Sequence, residues 1–187
     1  MKHRNEIKVW DPLVRLFHWT LVGAFTVAWL TEDDWMALHA YAGYVIGFLL
    51  LFRLIWGLLG TRYARFSDFV RPPSRVAGYL FDLVRLRAER TIGHNPAGGA
   101  MIVALLITLL ITTFTGLLAY GATGAGPLAD LLFSNSEYGS ELFEEVHEFF
   151  ANFTLSLVVL HLLGVAFGSL LHGENLVQAM ITGTKRA

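Results

Sequence analysis

Residues 146–171 read VHEFFANFTLSLVVLHLLGVAFGSLL. The stretch is apolar over most of its length and is long enough to cross a bilayer as a helix, which takes about 20 residues. His147 and His161 interrupt it 14 residues apart, which is about four turns, so they lie on nearly the same face and about 21 Å apart along the axis. A titratable side chain at membrane depth is costly unless a partner compensates it. The spacing therefore suggests two metal sites at two depths.

The whole chain has the composition of a small polytopic membrane protein. Of its 187 residues, 55% are apolar and 16% are charged, and its mean hydropathy is +0.52. These values are too apolar for an ordinary soluble domain. The chain has no cysteine, which excludes disulfides, thiolate metal sites and covalent haem attachment. A long first apolar run after a polar tail predicts a retained span rather than a cleaved signal peptide.

Four apolar stretches predict an all-α integral membrane four-helix bundle that forms a single domain over residues 1–187. Between the second and third stretches, Pro72 and Pro73 precede a segment with helical periodicity. We expect a short amphipathic helix there, on the cytoplasmic membrane surface. The predicted spans are residues 13–30, 37–59, 97–120 and 146–171.

Charged residues are distributed asymmetrically among the connections. The first and third connections carry eight acidic residues and no lysine or arginine. The positive-inside rule therefore places both termini and the second connection in the cytoplasm, and the acidic connections outside. The basic residues are Lys2, Arg4, Lys8, Arg62, Arg65, Arg71, Arg75, Arg85, Arg87, Arg90, Lys185 and Arg186; the acidic ones are Glu32, Asp33, Asp34, Asp130, Glu137, Glu141, Glu144 and Glu145.

This topology sorts four histidines by depth. His18, above the cytoplasmic start of the first span, matches His161 on the fourth; these two are called the inner pair. His39, at the outer end of the second span, matches His147 on the fourth; these two are called the outer pair. Each pair supplies one imidazole from each of two helices at one depth. Axial ligation of a b-type haem by two histidines requires this arrangement.

Two other interpretations of the histidines remain open. A single intramembrane histidine can bond to a carbonyl or line a cavity. Zinc is the main alternative metal, although the pairs lack thiolate or carboxylate company at their depths, apart from Glu148 beside the outer pair. The depth matching was obtained from the charges and not from the histidines, and it favours two haems.

Other candidate cofactor contacts lie near the pairs. Gly43 and Gly47 follow the second-span histidine by four and eight residues and predict a groove for a flat porphyrin on the ligand's face, with close helix packing as the alternative. The same two interpretations apply to Gly164 and Gly168 on the fourth span. We expect Arg53 either to extend to the cytoplasmic surface or to pair with a haem propionate.

The remaining candidates lie at the expected membrane interfaces. His3 is expected to be solvated. For His94 and His172, capping or solvation is the simpler interpretation, and contact with a haem propionate or a quinone is the alternative. Candidate quinone contacts, for which interfacial anchoring is the alternative role of tryptophan, are Trp10, Arg15, Trp19 and Trp56.

Motifs along nearly the whole chain are specific in combination. They are Val9-Trp10-Asp11-Pro12 with Arg15-Leu16-Phe17-His18-Trp19, His39 with Gly43, Gly60-Thr61-Arg62-Tyr63-Ala64-Arg65-Phe66, Gly93-His94-Asn95-Pro96, and Val146-His147-Glu148 to Leu160-His161. Together they resemble the bacterial di-haem cytochrome b561 family, which is related to the b-type cytochrome subunits of nickel-iron hydrogenases. The resemblance implies a four-helix membrane cytochrome that exchanges electrons with quinone and binds its haems at the four positions selected by depth.

We expect electron transfer across the bacterial inner membrane, between the quinone pool and a periplasmic c-type cytochrome, because an acidic outer surface attracts a cationic carrier. The acids could instead serve only topology and solubility. A membrane haem b subunit that anchors a nickel-iron hydrogenase or similar complex is the first alternative. Superoxide:quinone oxidoreductase activity is disfavoured, since the acidic connections repel an anion, and a transporter with a histidine relay is the non-redox alternative. The expected partners are the lipid bilayer, a quinone, and a c-type cytochrome or hydrogenase-like subunit, with no nucleic acid.

Overall fold

The computed structural model describes residues 6–132 and 140–187. Four of the helices formed by these residues are long and apolar enough to cross a membrane, so the predicted all-α integral membrane class is confirmed. Lys2, His3, Arg4 and Glu137 lie outside the described residues. In chain order the elements are β1 Glu6–Lys8, α1 Pro12–Leu30, α2 Met36–Leu59, a 3-10 turn Arg62–Ala64, α3 Phe66–Phe69, α4 Pro73–Val84, α5 Pro96–Ala122, α6 Ala129–Leu132, α7 Ser140–His172, α8 Leu176–Thr182 and β2 Thr184–Arg186.

The long helices follow the predicted spans closely, with one extension. Helix α7 begins at Ser140 rather than at residue 146. Its first turns carry acidic residues, because helical hydrogen bonding continues beyond the apolar stretch that hydropathy detects. The amphipathic helix expected after the second span is α4, with Pro73 in its first turn, where a proline loses no hydrogen bond. Its apolar Phe81 and Val84 are exposed, as expected of a helix that rests on a membrane surface.

The chain divides into two compact units. The first comprises Met1–Trp19, Phe52–Ala104 and Val158–Ala187, and the second comprises Thr20–Leu51 and Leu105–Leu157. Each of the four long helices contributes residues to both units. The inner pair belongs to the first unit and the outer pair to the second.

In the first unit, the two ends of the chain pair with each other. Strands β1 and β2 are antiparallel, with Ile7 opposite Lys185, and the backbone N–H groups of Val9 and Trp10 donate to the carbonyl of Gly183. Gly183 ends α8 with φ of 85°, and a Cβ there would lie 2.6 Å from the Trp10 carbonyl oxygen. Glycine is therefore required at this crossing. The sequence had predicted only a polar tail for the N-terminal segment.

Asp11 begins α1 and ties it to the end of α2 within the first unit. One carboxylate oxygen accepts the backbone N–H groups of Leu13 at 2.9 Å and Val14 at 3.0 Å. The other accepts the Thr61 hydroxyl at 2.6 Å and the Trp56 indole N–H at 3.3 Å. Burial alone would raise the pKa of Asp11, but these four hydrogen bonds outweigh it and hold the pKa below its usual range.

The C-terminal part of the first unit is organised around Glu174. Its carboxylate accepts the Arg90 Nε–H at 3.0 Å and lies 3.8 Å from the Lys185 ammonium. Lys185 is only 8% exposed, so the acid compensates a charge that burial would otherwise make unfavourable. Burial lowers the pKa of Lys185, and the neighbouring Glu174 counteracts that effect.

The second unit has an apolar core with a threonine bridge inside it. Leu50 and Thr154 are fully buried, and the Thr112 and Thr154 hydroxyls lie 3.2 Å apart, which joins α5 to α7. A second close contact lies nearby, since a Cβ on Gly47 would be 3.3 Å from the Thr113 methyl group. Small and hydroxyl-bearing residues thus allow close helix packing, as is common in membranes.

Replacing Asp11 by alanine should destabilise the protein. The loss of a helix cap costs about 0.5–2 kcal/mol, and the Thr61 and Trp56 donors lose their acceptor as well. Because the folded pKa is depressed, the ionised carboxylate stabilises the fold above its unfolded pKa, and this contribution disappears as the pH falls through the folded pKa. Thermal unfolding in detergent should therefore show a lower midpoint for Asp11→Ala at pH 7 and a smaller difference in acid. Asp82→Ala, an exposed aspartate on α4, serves as the control, and an equal effect there would refute the assignment.

Candidate functional site

The outer pair comes together in the second unit. His39 lies near the start of α2 and His147 lies on α7. Their ring centroids are 5.9 Å apart and their planes are nearly perpendicular, at 88°. The structure therefore brings these two side chains together edge to face, one from α2 and one from α7.

Backbone carbonyls orient both rings of the outer pair. His39 Nδ1 is 2.9 Å from the Ala28 carbonyl oxygen, and His147 Nδ1 is 2.9 Å from the Thr112 carbonyl oxygen. A carbonyl oxygen only accepts, so each Nδ1 must carry the ring proton and donate it. Nε2 then has a free lone pair on both rings. A histidine that ligates a metal has this arrangement, in which the other nitrogen fixes the tautomer and the ring orientation.

Gly116 allows the His147 ring to reach its acceptor. A Cβ at position 116 would lie 2.8 Å from His147 Cε1 and 3.0 Å from Nδ1. The Thr115 hydroxyl is also 3.4 Å from the same Nδ1. Sequence reasoning missed Ala28, Thr112 and Gly116, because two of them act through backbone atoms and the third through a missing side chain. Only the helix register could have identified them.

The inner pair lies in the first unit. His18 on α1 and His161 on α7 are close enough to interact electrostatically. His18 Nδ1 is buried and has no hydrogen-bond partner among the described residues. The protein thus leaves this ring without the carbonyl acceptor that each ring of the outer pair has.

Arg53 and His94 interact electrostatically with each other in the first unit, and His94 also interacts with His161 of the inner pair. Arg53 is 3% exposed, and its guanidinium carbon is 5.1 Å from the Phe66 ring centroid and 5.8 Å from that of Phe69. Arg53 therefore does not extend to the surface. The His94 ring packs against Trp10 at 4.4 Å and against Phe69 at 4.8 Å. Burial, with the charges of Arg53 and Lys185 and the His161 ring nearby, lowers the pKa of His94 to about 3, so this ring is neutral at pH 7.

The glycines near the pairs differ in the space around them. A Cβ on Gly43 or Gly164 would have no neighbour within 4 Å among the described residues. On Gly47 it would meet Thr113, and on Gly168 it would lie 3.4 Å from Leu176 Cδ1. Open space at Gly43 and Gly164 suits a flat ligand, whereas the contacts of the other two favour the packing interpretation.

The candidate quinone residues of the first unit all have packing or polar contacts. Trp19 Nε1 donates to the Met180 carbonyl at 3.4 Å, and the Arg15 guanidinium donates to the carbonyl of Ile181. The Trp56 indole donates to Asp11, and the Trp10 ring lies 5.8 Å from the Lys185 ammonium. The contacts of Arg15 and Trp19 connect α1 to α8, that of Trp10 connects the segment before α1 to β2, and that of Trp56 connects α2 to the residue before α1. Each residue thus has a structural role. His172 is the last residue of α7.

Each pair offers only two imidazole ligands, which suits a metal whose other ligands belong to a cofactor. No group of three or more histidine, cysteine, aspartate or glutamate side chains in the described parts of the chain could hold a metal ion. Zinc needs three or four protein ligands, whereas haem iron needs only two axial ones. Two imidazoles on opposite faces of one metal have centroids about 6 Å apart, from metal–nitrogen bonds of about 2 Å and ring radii of about 1 Å. The separation in the outer pair fits this value.

Comparison with curated proteins finds b-type cytochromes. The chain is 27% identical to the probable Ni/Fe-hydrogenase B-type cytochrome subunit of Azotobacter chroococcum mcd 1, over 71% of this chain and 68% of that protein. It is 22% identical to the protein of the same description from Rhodobacter capsulatus, over 98% of this chain and 82% of that protein. The probable Ni/Fe-hydrogenase 1 B-type cytochrome subunit of Escherichia coli K12 is 27% identical over 60% of this chain and 59% of its own length.

No solved structure gives a significant match. A family model, by contrast, matches almost the whole chain. The model described as prokaryotic cytochrome b561 matches residues 9–183, a range that includes all four histidines of the two pairs and every long helix. The chain therefore belongs to the prokaryotic cytochrome b561 family.

Proposed function

We propose that this protein transfers electrons across the bacterial inner membrane, between the quinone pool and a periplasmic redox partner, through two b-type haems. His39 and His147 hold the outer haem, and His18 and His161 hold the inner one. The family already makes the chain a membrane haem b electron-transfer protein. The observation that carries the outer haem is the 5.9 Å separation of the outer pair, together with the Nδ1 hydrogen bonds that leave both Nε2 atoms free. The inner haem is supported by the electrostatic interaction of His18 with His161.

The residues of each pair bind and orient; they break no bond. A bound b-type haem supplies a one-electron iron couple. An iron held by two histidines would keep no open site for oxygen chemistry. The carbonyls of Ala28 and Thr112 fix the ring orientation in the outer pair, and hydrogen bonding to axial ligands tunes the potential of the iron. Gly43 and Arg53 are proposed cofactor contacts, with open space supporting Gly43 and burial beside His94 supporting Arg53, whereas the contact with Thr113 gives Gly47 a packing role.

The proposed external partner is a periplasmic c-type cytochrome. The exposed acids Glu141, Glu144 and Glu145 lie in the first turns of α7, ahead of the outer pair. By the distribution of basic residues both termini are cytoplasmic, so these acids face the periplasm. Acidic groups near an electron exit attract a cationic carrier and raise its rate of encounter.

A second candidate function is supported by the comparisons. The similar curated proteins are described as subunits of Ni/Fe-hydrogenases, so this chain could anchor a hydrogenase or a similar complex and pass its electrons to quinone. Purification from native membranes separates the two functions: large catalytic subunits that co-purify with the chain in constant ratio favour the second.

Replacing His147 by alanine should remove the outer haem and spare the inner one. The haem content of the purified protein should fall from two per chain to one, measured by pyridine haemochrome and protein assay. His172→Ala, at the end of the same helix, should retain both haems. Loss of both haems from a folded His147→Ala protein, or loss of neither, would contradict the pairing.

Gly116→Ala should disturb the outer haem alone. The added methyl group would have to push the His147 ring away from the Thr112 carbonyl, which changes ring orientation and ligand basicity. Electron paramagnetic resonance of the oxidised protein should show a shift in the low-spin signal of one haem and none in the other. Gly78→Ala on α4, where a Cβ meets no described neighbour, is the matched control. An unchanged spectrum in Gly116→Ala would refute the assigned geometry.

Replacing Glu141, Glu144 and Glu145 together by glutamine should slow electron exchange with a cationic cytochrome. The effect should be several-fold at low ionic strength and should vanish at about 1 M salt, where charges are screened beyond about 3 Å. Stopped-flow absorbance measures the rate. Asp82→Asn with Glu89→Gln, exposed acids of the arginine-rich connection, should leave it unchanged, and equal slowing by both variants would argue against docking at α7.

A further inference from the structure

The buried side-chain atoms without hydrogen-bond partners all belong to one of the two units. Within the described residues there are four such atoms, and all belong to the first unit. All four are nitrogens of basic side chains. Buried polar groups in folded proteins are almost always hydrogen-bonded, so this cluster indicates acceptors that the polypeptide does not supply. The atoms are Arg15 Nε, His18 Nδ1, Arg53 Nη1 and His94 Nδ1.

Arg53 is the most demanding member of this cluster. It is 3% exposed, and aromatic rings of Phe66 and Phe69 lie beside its guanidinium group. Asp11 is the acid that interacts with it electrostatically. The two oxygens of Asp11 already accept four hydrogen bonds from other groups. A buried cation therefore keeps an open donor, and Asp11, the acid that interacts with it, is already occupied.

His94 belongs to the same cluster. The Phe69 ring touches both groups, since its centroid is 4.8 Å from that of His94 and 5.8 Å from the Arg53 guanidinium carbon. His94 also interacts electrostatically with Arg53 and with His161 of the inner pair. As a neutral ring it carries one proton, and an acceptor at Nδ1 would select the tautomer with the proton there. The two open donors thus lie together, next to a proposed haem ligand.

The acceptor that Arg53 and His94 lack should be an anion that both donors can bind at once. Glu174, another acid near this cluster, is occupied by Arg90 and Lys185, so neither it nor Asp11 is available. A planar guanidinium group with a free N–H is suited to a carboxylate. A b-type haem carries two carboxylates at its edge, and the inner pair would bring that edge into this region.

We infer that Arg53 and His94 bind a propionate carboxylate of the haem held by His18 and His161. This inference rests on the proposed function. The two side chains are positioning residues: they fix the rotation of the porphyrin about its axial ligands, and the charge of Arg53 offsets that of the propionate. Loss of this positive charge leaves the propionate uncompensated, which favours the oxidised iron and lowers the reduction potential of that haem alone.

The test is redox potentiometry of the purified full-length protein with both haems bound. In Arg53→Gln the equilibrium constant for reduction of the inner haem should fall about tenfold, which is 59 mV for a one-electron couple, while the outer haem stays unchanged. His94→Gln should shift the same haem in the same direction by less. Arg75→Gln removes the same charge at an exposed position and is the matched control.

A second measurement identifies the carboxylate as the acceptor. Apoprotein loaded with the dimethyl ester of the haem has propionates without charge. Arg53→Gln should weaken binding of the native haem to the inner pair several-fold relative to wild type and leave binding of the ester unchanged, because only the native haem offers a carboxylate to the guanidinium group. Equal weakening for both haems, or no potential shift with the native haem, overturns the inference. If Arg53→Gln does not retain the inner haem, the same comparison is made with His94→Gln, whose weaker binding must also disappear with the ester. Wild-type protein without two low-spin b-type haems would instead refute the proposed function.

Discussion

The hydrogen bond from each imidazole Nδ1 to a backbone carbonyl is the interaction on which the outer site depends. A carbonyl oxygen of a membrane helix already accepts one helical hydrogen bond, and a histidine can share it only where no side chain intervenes. Gly116 provides that opening beside Thr112. The hydrogen bond fixes the tautomer of His147 and the direction of its free lone pair. The absence of a side chain at Gly116 on α5 therefore determines the orientation in which His147 on α7 can bind a metal.

The two units satisfy their polar groups in different ways. In the second unit the outer histidines bond to carbonyls and Thr154 bonds to Thr112, so the polypeptide provides its own acceptors. In the first unit four basic nitrogens remain open. With an anionic cofactor in place, the hydrogen bonding of the first unit would be complete only in the holoprotein. The two proposed haems would then be held by different means, which is a route to different potentials within one small protein.

Much of the architecture could be predicted from the sequence, because it depends on hydropathy and charge averaged over long segments. Hydropathy over about 20 residues located the helices, and the arginine-rich connection, read with the acidic ones, set an orientation that matched His39 with His147. The remainder depends on single atoms. Pairing of β1 with β2 joins residues at opposite ends of the chain through backbone groups, and three-residue strands carry no periodicity. The bonds of Asp11 to Thr61 and Trp56 require a helix end and a turn to meet, which no local pattern encodes.

The segment from the 3-10 turn to α3 is more than a connection between spans. Phe69 is 1% exposed; its ring lies against Arg53 and His94, and its carbonyl oxygen would be 2.5 Å from a Cβ on Gly99 at the start of α5. The segment therefore forms a wall beside Arg53 and His94. Chimaeras that exchange this connection between relatives will preserve the wall only if residues 61–72 are transferred as one block with the residues at positions 53, 94 and 99. The arginines of α4 and beyond can be varied separately.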